Sequence, residues 1–191
     1  MTAVWRSFND QTEKRLMRIQ AATAAEICTR FHMPRSARVL LRPEIAPAEF
    51  MDALLAHQEY EAGIEFLAHA LPARYAVWWG CLCMQHACGE DLAPKDKDAA
   101  IAAIRWILEP TEQSRRTAMA LADAAGPTSL AGTLARAASE VAGDPRSPIP
   151  NAFHVANAVH LASVKGDPAG MRRRQRSYME LGIGIANDKF I

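Results

Sequence analysis

This sequence of 191 residues has few cysteines, no long apolar run and no excess of one charge. Its four cysteines are few and bunched, which does not fit the disulfide framework of a secreted protein. No apolar run approaches the roughly 18 to 20 residues that span a bilayer. Residues 1–18 carry too many charges for a secretory signal. We therefore expect a cytoplasmic protein without a membrane segment.

Opposite charges are nearly balanced, with 22 basic and 21 acidic residues and a formal net charge of +1. No global field therefore directs the chain to nucleic acid or to an anionic membrane. Half of the residues are hydrophobic and 23% are charged, which is a globular composition. The length suits one good core. We expect a single domain over residues 1–191, with residues 143–150 as a proline-rich internal loop.

Motifs that carry catalysis or bind cofactors are also missing. The sequence contains no Gly-x-Ser-x-Gly elbow, no glycine-rich phosphate loop ending in Lys-Ser/Thr, no dinucleotide Gly-x-Gly-x-x-Gly and no His-Glu-x-x-His. Gly182-Ile-Gly184 lies late in a helical pattern without a preceding strand. We expect neither an enzyme nor a cofactor.

Helical signals fill the sequence, whereas alternating strand patterns and Asn-Gly or Asp-Gly hairpins are absent. Alanine is abundant, which favours helix and allows helices to pack closely. We predict an all-α, single-domain, antiparallel bundle of about nine or ten helices. Two segments, Phe66–Pro72 and Trp106–Pro110, place an aromatic residue before a proline 40 residues apart. That spacing leaves HEAT-like helical pairs as an alternative arrangement.

Three helices are predicted in more detail. A capping box at Asp10 and Glu13 predicts a helix that continues to Pro34. A second helix opens at Pro94, ends before Pro110 and carries four large apolar residues, Ile101, Ile104, Ile107 and Leu108. The last helix follows Asp167-Pro168 and should turn to the core a stripe formed by Met171, Tyr178, Leu181 and Ile185.

The cluster Cys81, Cys83, His86 and Cys88 contains four potential zinc ligands within eight residues. A structural zinc site needs about four ligands that converge tetrahedrally. Residues two apart on one helix point roughly 200° away from each other, so only pairs such as Cys83 and His86 share a face. No second ligand pair lies elsewhere. We interpret the cluster as core residues and expect no metal there.

His57, Glu61, Glu65 and His69 recur every four residues. On one unbroken helix from Leu54 to Leu71 they would line a single face, and Glu with His at i+4 can hold a metal. A metal-binding or enzymatic bundle built on this stripe is therefore an alternative function. Gly63 weakens the assumption of a continuous helix, and the simpler interpretation is a solvated polar face.

Arginine is concentrated in the run Arg172, Arg173, Arg174 and Arg176 near the chain end. The run begins just after a helix start, where the macrodipole disfavours positive charge. The last helix should direct Arg172, Arg173 and Arg176 to solvent, where most such runs only solvate a helix face. The other interpretation, which we carry forward as a prediction, is that the run binds a partner. An anion or nucleic-acid binder is the alternative, although no aromatic residue interleaves the run, which argues against base stacking.

Trp78 and Trp79 are the second predicted partner-binding feature. Adjacent helical residues diverge by about 100°, so a narrow apolar stripe does not cover both rings. One ring should anchor the core and the other should face a second helix or a groove. An exposed Trp is a candidate binding hot spot.

The segment from Leu71 to Cys81, with Trp106–Pro110 and residues 181–186 downstream, resembles an uncharacterised bacterial all-helical family, a domain of unknown function. Its members carry a Leu-Pro-x-Arg-x-Ala-Val-Trp-Trp helix, and the similarity extends over most of the chain from about Ala25. The family's genes often lie near type VI secretion clusters. The resemblance implies an adaptor or chaperone role, with a secretion spike component or an effector as partner. It supplies no catalytic residues, and Arg74, Trp78 and Trp79 match its motif.

Overall fold

A computed structural model describes residues 16–89, 91–141, 143–149 and 152–188. Within these ranges the chain is all-α, as predicted, and contains no strand. One isolated backbone bridge pairs Pro72 with Pro148. A 3-10 turn at Pro168–Gly170 precedes the last of ten helices. These are α1 (Ala24–Cys28), α2 (Arg35–Arg38), α3 (Pro47–Ala56), α4 (Tyr60–Ala70), α5 (Ala73–Cys88), α6 (Pro94–Leu108), α7 (Glu112–Ala125), α8 (Leu130–Ser139), α9 (Phe153–Val164) and α10 (Met171–Ala186).

Local sequence signals explain where the helices begin and end. Pro47 and Pro94 occupy the first turns of α3 and α6, where a missing N–H costs nothing. Thr111 caps α7 through a reciprocal pair of hydrogen bonds with Ser114. Gly89 follows α5 with a φ of 56°, a conformation that favours glycine.

The helices form a bundle in which distant parts of the chain meet. Helices α6, α7 and α8 pack on one another, and α9 packs on α4, α5 and α8. The last helix, α10, packs on α4 and α5 as well as on α9. In a solenoid each repeat contacts only its neighbours. These contacts therefore favour the bundle over stacked helical pairs.

The proline-rich loop has a structural task at the start of α5. The carbonyl oxygens of Pro145 and Ser147 accept hydrogen bonds from the backbone N–H groups of Arg74 and Ala73. The first N–H groups of any helix lack partners within the helix. The loop thus satisfies donors at the beginning of the helix that carries both adjacent tryptophans.

The predicted long N-terminal helix is wrong over the described residues. The chain is not helical from residue 16 to residue 23, and α1 is only five residues long. Thr23 and Glu26 form the capping box that begins α1. Before it, the N–H of Arg18 donates to the carbonyl of Ala186 at 3.0 Å, which diverts this backbone to the end of α10. The proposed capping box at Asp10 and Glu13 lies outside the described residues.

Helix α6 turns three of its four large aliphatic side chains outward. Ile101, Ile104 and Leu108 are 54%, 44% and 67% exposed. The buried face consists instead of Trp106, Ile107 and four alanines, Ala99, Ala100, Ala102 and Ala103. Alanine lets helix backbones approach closely, and a single indole fills the remaining space. Side-chain size therefore does not identify the core face of this helix.

None of the described helices combines the length and apolar character that a bilayer crossing requires.

Candidate protein-interaction surface

Trp79 is a core residue and has no surface to offer a partner. Its ring is fully buried, and its Nε1–H donates to the backbone carbonyl of Tyr178 at 2.9 Å. Gly182 on α10 allows this contact, because a Cβ there would lie 3.0 Å from Trp79 Cε2 and 2.8 Å from Leu67 Cδ1. Trp78 is half-buried at the edge of the core. Of the two predicted binding tryptophans, only Trp78 retains an accessible surface.

The cysteine cluster is divided between the core and the helix edge. Cys81 and Cys83 are buried, and burial raises the pKa of the Cys81 thiol to about 12. Cys88 is half-buried, and the exposed His86 places Nδ1 3.0 Å from the Tyr178 hydroxyl. Burial disfavours the thiolate form of both core thiols, so neither is a ready nucleophile at neutral pH in this fold. In the described part of the chain, no three His, Cys, Asp or Glu side chains are arranged to hold a metal ion.

The His57–His69 stripe does not form one face of one helix. Helix α3 ends at Ala56, and Gln58 adopts a φ of 59° before α4 begins at Tyr60. His57 therefore terminates α3, where its Nδ1 lies 2.9 Å from the carbonyl oxygen of Ala53. The remaining members of the stripe lie on α4.

The interpretation of this stripe as a solvated face is wrong for its C-terminal part. His69 is only 3% exposed and stacks on Phe31. The carboxylate of Glu65 lies between two imidazoles, 4.0 Å from His69 Nε2 and 3.5 Å from His160 Nε2. Glu61 accepts a hydrogen bond from the buried Gln175 at 3.3 Å. These contacts form a polar seam between α4, α9 and α10.

His69 is the one buried member of this seam with an unpartnered nitrogen. Its Nδ1 has no hydrogen-bond partner in the described part of the chain. Burial lowers the pKa of the imidazole, Glu65 opposes that shift and Arg30 adds to it. His69 is therefore held in its neutral form. Sequence spacing did not identify His160 as a neighbour, because it lies on α9, 91 residues beyond His69.

Two members of the arginine run, Arg174 and Arg172, bond backbone carbonyls of this chain. Arg174 donates to the carbonyl oxygens of Ser163 at 2.8 Å and Asp167 at 2.7 Å, which ties the start of α10 to the end of α9. Arg172 donates to the carbonyl oxygen of Gln58 at 3.1 Å and lies 5.4 Å from the centre of the Tyr60 ring. Both guanidiniums stabilise turns of this chain.

The other two arginines of the run face solvent. Arg176 pairs with Glu180 one turn later, with Nε 2.8 Å from the carboxylate. Arg173 is exposed and, among the described residues, has no hydrogen-bond or ion-pair partner. Glu140 and Asp144, considered from sequence as acidic neighbours, pair instead with His154 and Arg146. The exposed row Arg172, Arg173 and Arg176 on α10 is hereafter the arginine face.

The bundle, the buried Trp79 and the exposed arginine face belong to an all-α protein whose described residues contain no metal-holding cluster. A family model matches residues 50–186, from within α3 to the last residue of α10. The chain belongs to this family of unknown function, DUF6931. The match begins later than the expected Ala25 and includes the Trp78-Trp79 helix. No curated protein and no solved structure gives a significant match.

Proposed function

We propose that this protein is a non-enzymatic helical interaction module whose arginine face binds an acidic surface of a protein partner. The observation that carries the proposal is Arg173. Its guanidinium is exposed, lies in the first turn of α10 and has no partner in the described part of the chain. Arg172 lies next to it in the same turn, and Arg176 lies three residues later in the following turn of the same helix.

Helix electrostatics make this arrangement unfavourable for the isolated chain. Positive charge near a helix N-terminus opposes the macrodipole by roughly 0.3 to 1 kcal/mol per group. Arg174 offsets that cost by bonding the carbonyl oxygens of Ser163, at the end of α9, and of Asp167, and Arg172 does so by bonding the carbonyl oxygen of Gln58. Among the described residues, none compensates Arg173 in this way. Residues that break a local rule without a structural gain tend to mark functional sites.

An acidic protein surface fits this face better than nucleic acid does. Bidentate guanidinium–carboxylate pairs supply both attraction and geometry. Binding to single-stranded nucleic acid uses exposed aromatic rings as stacking platforms. Tyr60, the aromatic residue next to Arg172, is buried in the bundle and does not offer its ring.

The finer proposal is an adaptor or chaperone role in type VI secretion. Its support is the resemblance of the Leu71–Cys81 segment to a family whose genes lie near secretion clusters. The expected partner is then a spike component or an effector with an acidic patch. The arginine face would hold that partner while the bundle acts as a rigid support.

A co-purification experiment with matched charge reversals tests the proposal. The tagged protein is expressed in its native bacterium, and co-purifying proteins are quantified by mass spectrometry. The test variant is Arg173→Glu/Arg176→Glu, which leaves the structural Arg172 and Arg174 in place. The control is Arg35→Glu/Arg42→Glu, the same charge change at exposed positions on and beyond α2.

We expect a specific set of proteins to be lost with the α10 variant and kept with the control. Raising the salt concentration should release the same set, because exposed charges are screened over about 10 Å at 0.1 M salt. Loss of a secretion spike component or effector would support the finer proposal. Equal capture by wild type and both variants would contradict the role of the arginine face.

A further inference from the structure

We propose that the outer face of α6 packs against the same face of a second copy of this chain, antiparallel about a two-fold axis near Ile101. This inference does not depend on the arginine face, which belongs to α10. Three observations carry it: an exposed apolar stripe, a groove beside the stripe and two opposite charges that have no ion-pair partner among the described residues.

The apolar stripe is formed by the exposed side chains of Ile101, Ile104 and Leu108. Their spacing of three and four residues places them on one side of the helix, over about 10 Å of its length. Scattered single apolar residues are ordinary on protein surfaces, whereas a contiguous row on one helix marks a contact surface.

A groove runs along this stripe between α6 and α7. It has a volume of about 310 Å³. Ala102 of α6 and two residues of α7, Thr117 and Leu121, line it. Ile101 lines it on the α6 side. A branched aliphatic side chain from a second helix fits a groove of this kind, as ridges of one helix pack into the grooves of another.

Two charged residues line the same groove and identify the partner. Asp98 and Arg105 are seven residues apart on one flank of α6, about 10 Å along the axis, too far for an ion pair with each other. Neither has an ion-pair partner in the described part of the chain.

A second copy satisfies both charges at once. A two-fold axis makes the same patch self-complementary, so that residue i meets j and j meets i. In an antiparallel pair the equivalent flanks of the two helices adjoin. An axis midway between positions 98 and 105 places each Asp98 beside the second copy's Arg105. That midpoint lies next to Ile101, so the apolar stripes meet where the axis passes.

Reciprocal charge substitutions test this geometry by analytical ultracentrifugation of the full chain over a range of concentrations. Wild type should show a concentration-dependent monomer–dimer equilibrium. Asp98→Arg and Arg105→Asp should each oppose like charges across the axis and weaken self-association by at least about tenfold. An equimolar mixture of the two variants should dimerise again, because the heterodimer pairs opposite charges at both contacts. Asp91→Arg, an exposed acidic position before α6, is the matched control and should behave as wild type.

The mixture makes the result specific, since neither misfolding nor a general charge effect restores association on mixing. Circular dichroism of each variant verifies that the bundle is intact. Three outcomes would overturn the proposal: a wild-type chain that stays monomeric at all concentrations, a dimer indifferent to Asp98→Arg and Arg105→Asp, or a mixture that remains monomeric. A monomer whose α6 stripe is covered by a different protein would likewise exclude the second copy as occupant.

Discussion

At the scale of single residues, the two adjacent tryptophans perform different tasks. Trp79 fills the core and donates a hydrogen bond to α10, whereas Trp78 stands at the core edge. Helix geometry predicts that two neighbouring rings diverge. It does not tell which ring is buried. That choice depends on the Tyr178 carbonyl and on Gly182, both about 100 positions later in the chain.

Replacing Trp79 by Ala should lower the free energy of unfolding by roughly 3 to 5 kcal/mol, because it removes a fully buried indole and leaves a cavity. The loss includes the hydrogen bond to the Tyr178 carbonyl, which is left without its donor. Chemical denaturation followed by circular dichroism measures the change. Trp78→Ala is the matched control and should cost clearly less. Equal losses for the two variants would show that the rings share the core.

His69 should make the stability of the fold depend on pH. Its folded-state pKa is lowered from 6.5 by burial, so the unfolded chain binds the proton more readily. The contribution of His69 is therefore complete above about pH 6.5 and is lost as the pH falls through the folded pKa.

The variant His69→Phe should keep the stacking on Phe31 and remove this part of the pH dependence. Denaturant unfolding at neutral and mildly acidic pH measures the slope of the free energy of unfolding against pH. His32→Phe, at an exposed position, is the control. A slope for His69→Phe as steep as that of wild type would place the titrating group elsewhere.

At the scale of helices, the sequence predicts where a helix begins and ends better than it predicts which side of the helix is buried. Pro47, Pro94, Gly89 and the Thr111 cap act within a few residues, so local sequence identifies the ends of α3, α5, α6 and α7. The inward face of α6 depends on tertiary packing. Four alanines and Trp106 allow close approach to neighbouring helices, whereas Ile101 and Ile104 remain outside. No periodicity argument ranks alanine above isoleucine as a core residue.

Loss of the α7 cap should have a measurable local cost. Thr111→Ala removes the side chain that accepts from the N–H of Ser114 and should destabilise the fold by roughly 0.5 to 2 kcal/mol. Thermal unfolding measures the effect. Thr117→Ala in the middle of α7 deletes the same hydroxyl without touching the cap, and it should be neutral or slightly stabilising. Equal destabilisation by both would mean that the hydroxyl and not the cap matters.

At the scale of the whole molecule, the all-α bundle followed from the sequence because every segment shows helical periodicity. The candidate site could be predicted from the sequence only in part. The arginine run is visible in the sequence as a charge cluster. The sequence does not show that Arg174 and Arg172 bond backbone carbonyls that lie 11 and 114 positions away. The seam of Glu65, His69 and His160 likewise exists only after α4 and α9 meet. The sequence shows which charged and polar residues are present, whereas helix packing determines which of them form contacts within the chain.

The most direct test of the proposed function is the affinity of the purified protein for a purified protein that co-purifies with it. At low salt, Arg173→Glu/Arg176→Glu should raise the Kd by about tenfold or more, which corresponds to about 1.4 kcal/mol of binding free energy. Rising salt should reduce the difference in Kd between wild type and the α10 variant. Arg35→Glu/Arg42→Glu should bind as wild type at every salt concentration. A Kd that is unchanged by the α10 variant and insensitive to salt would contradict the account.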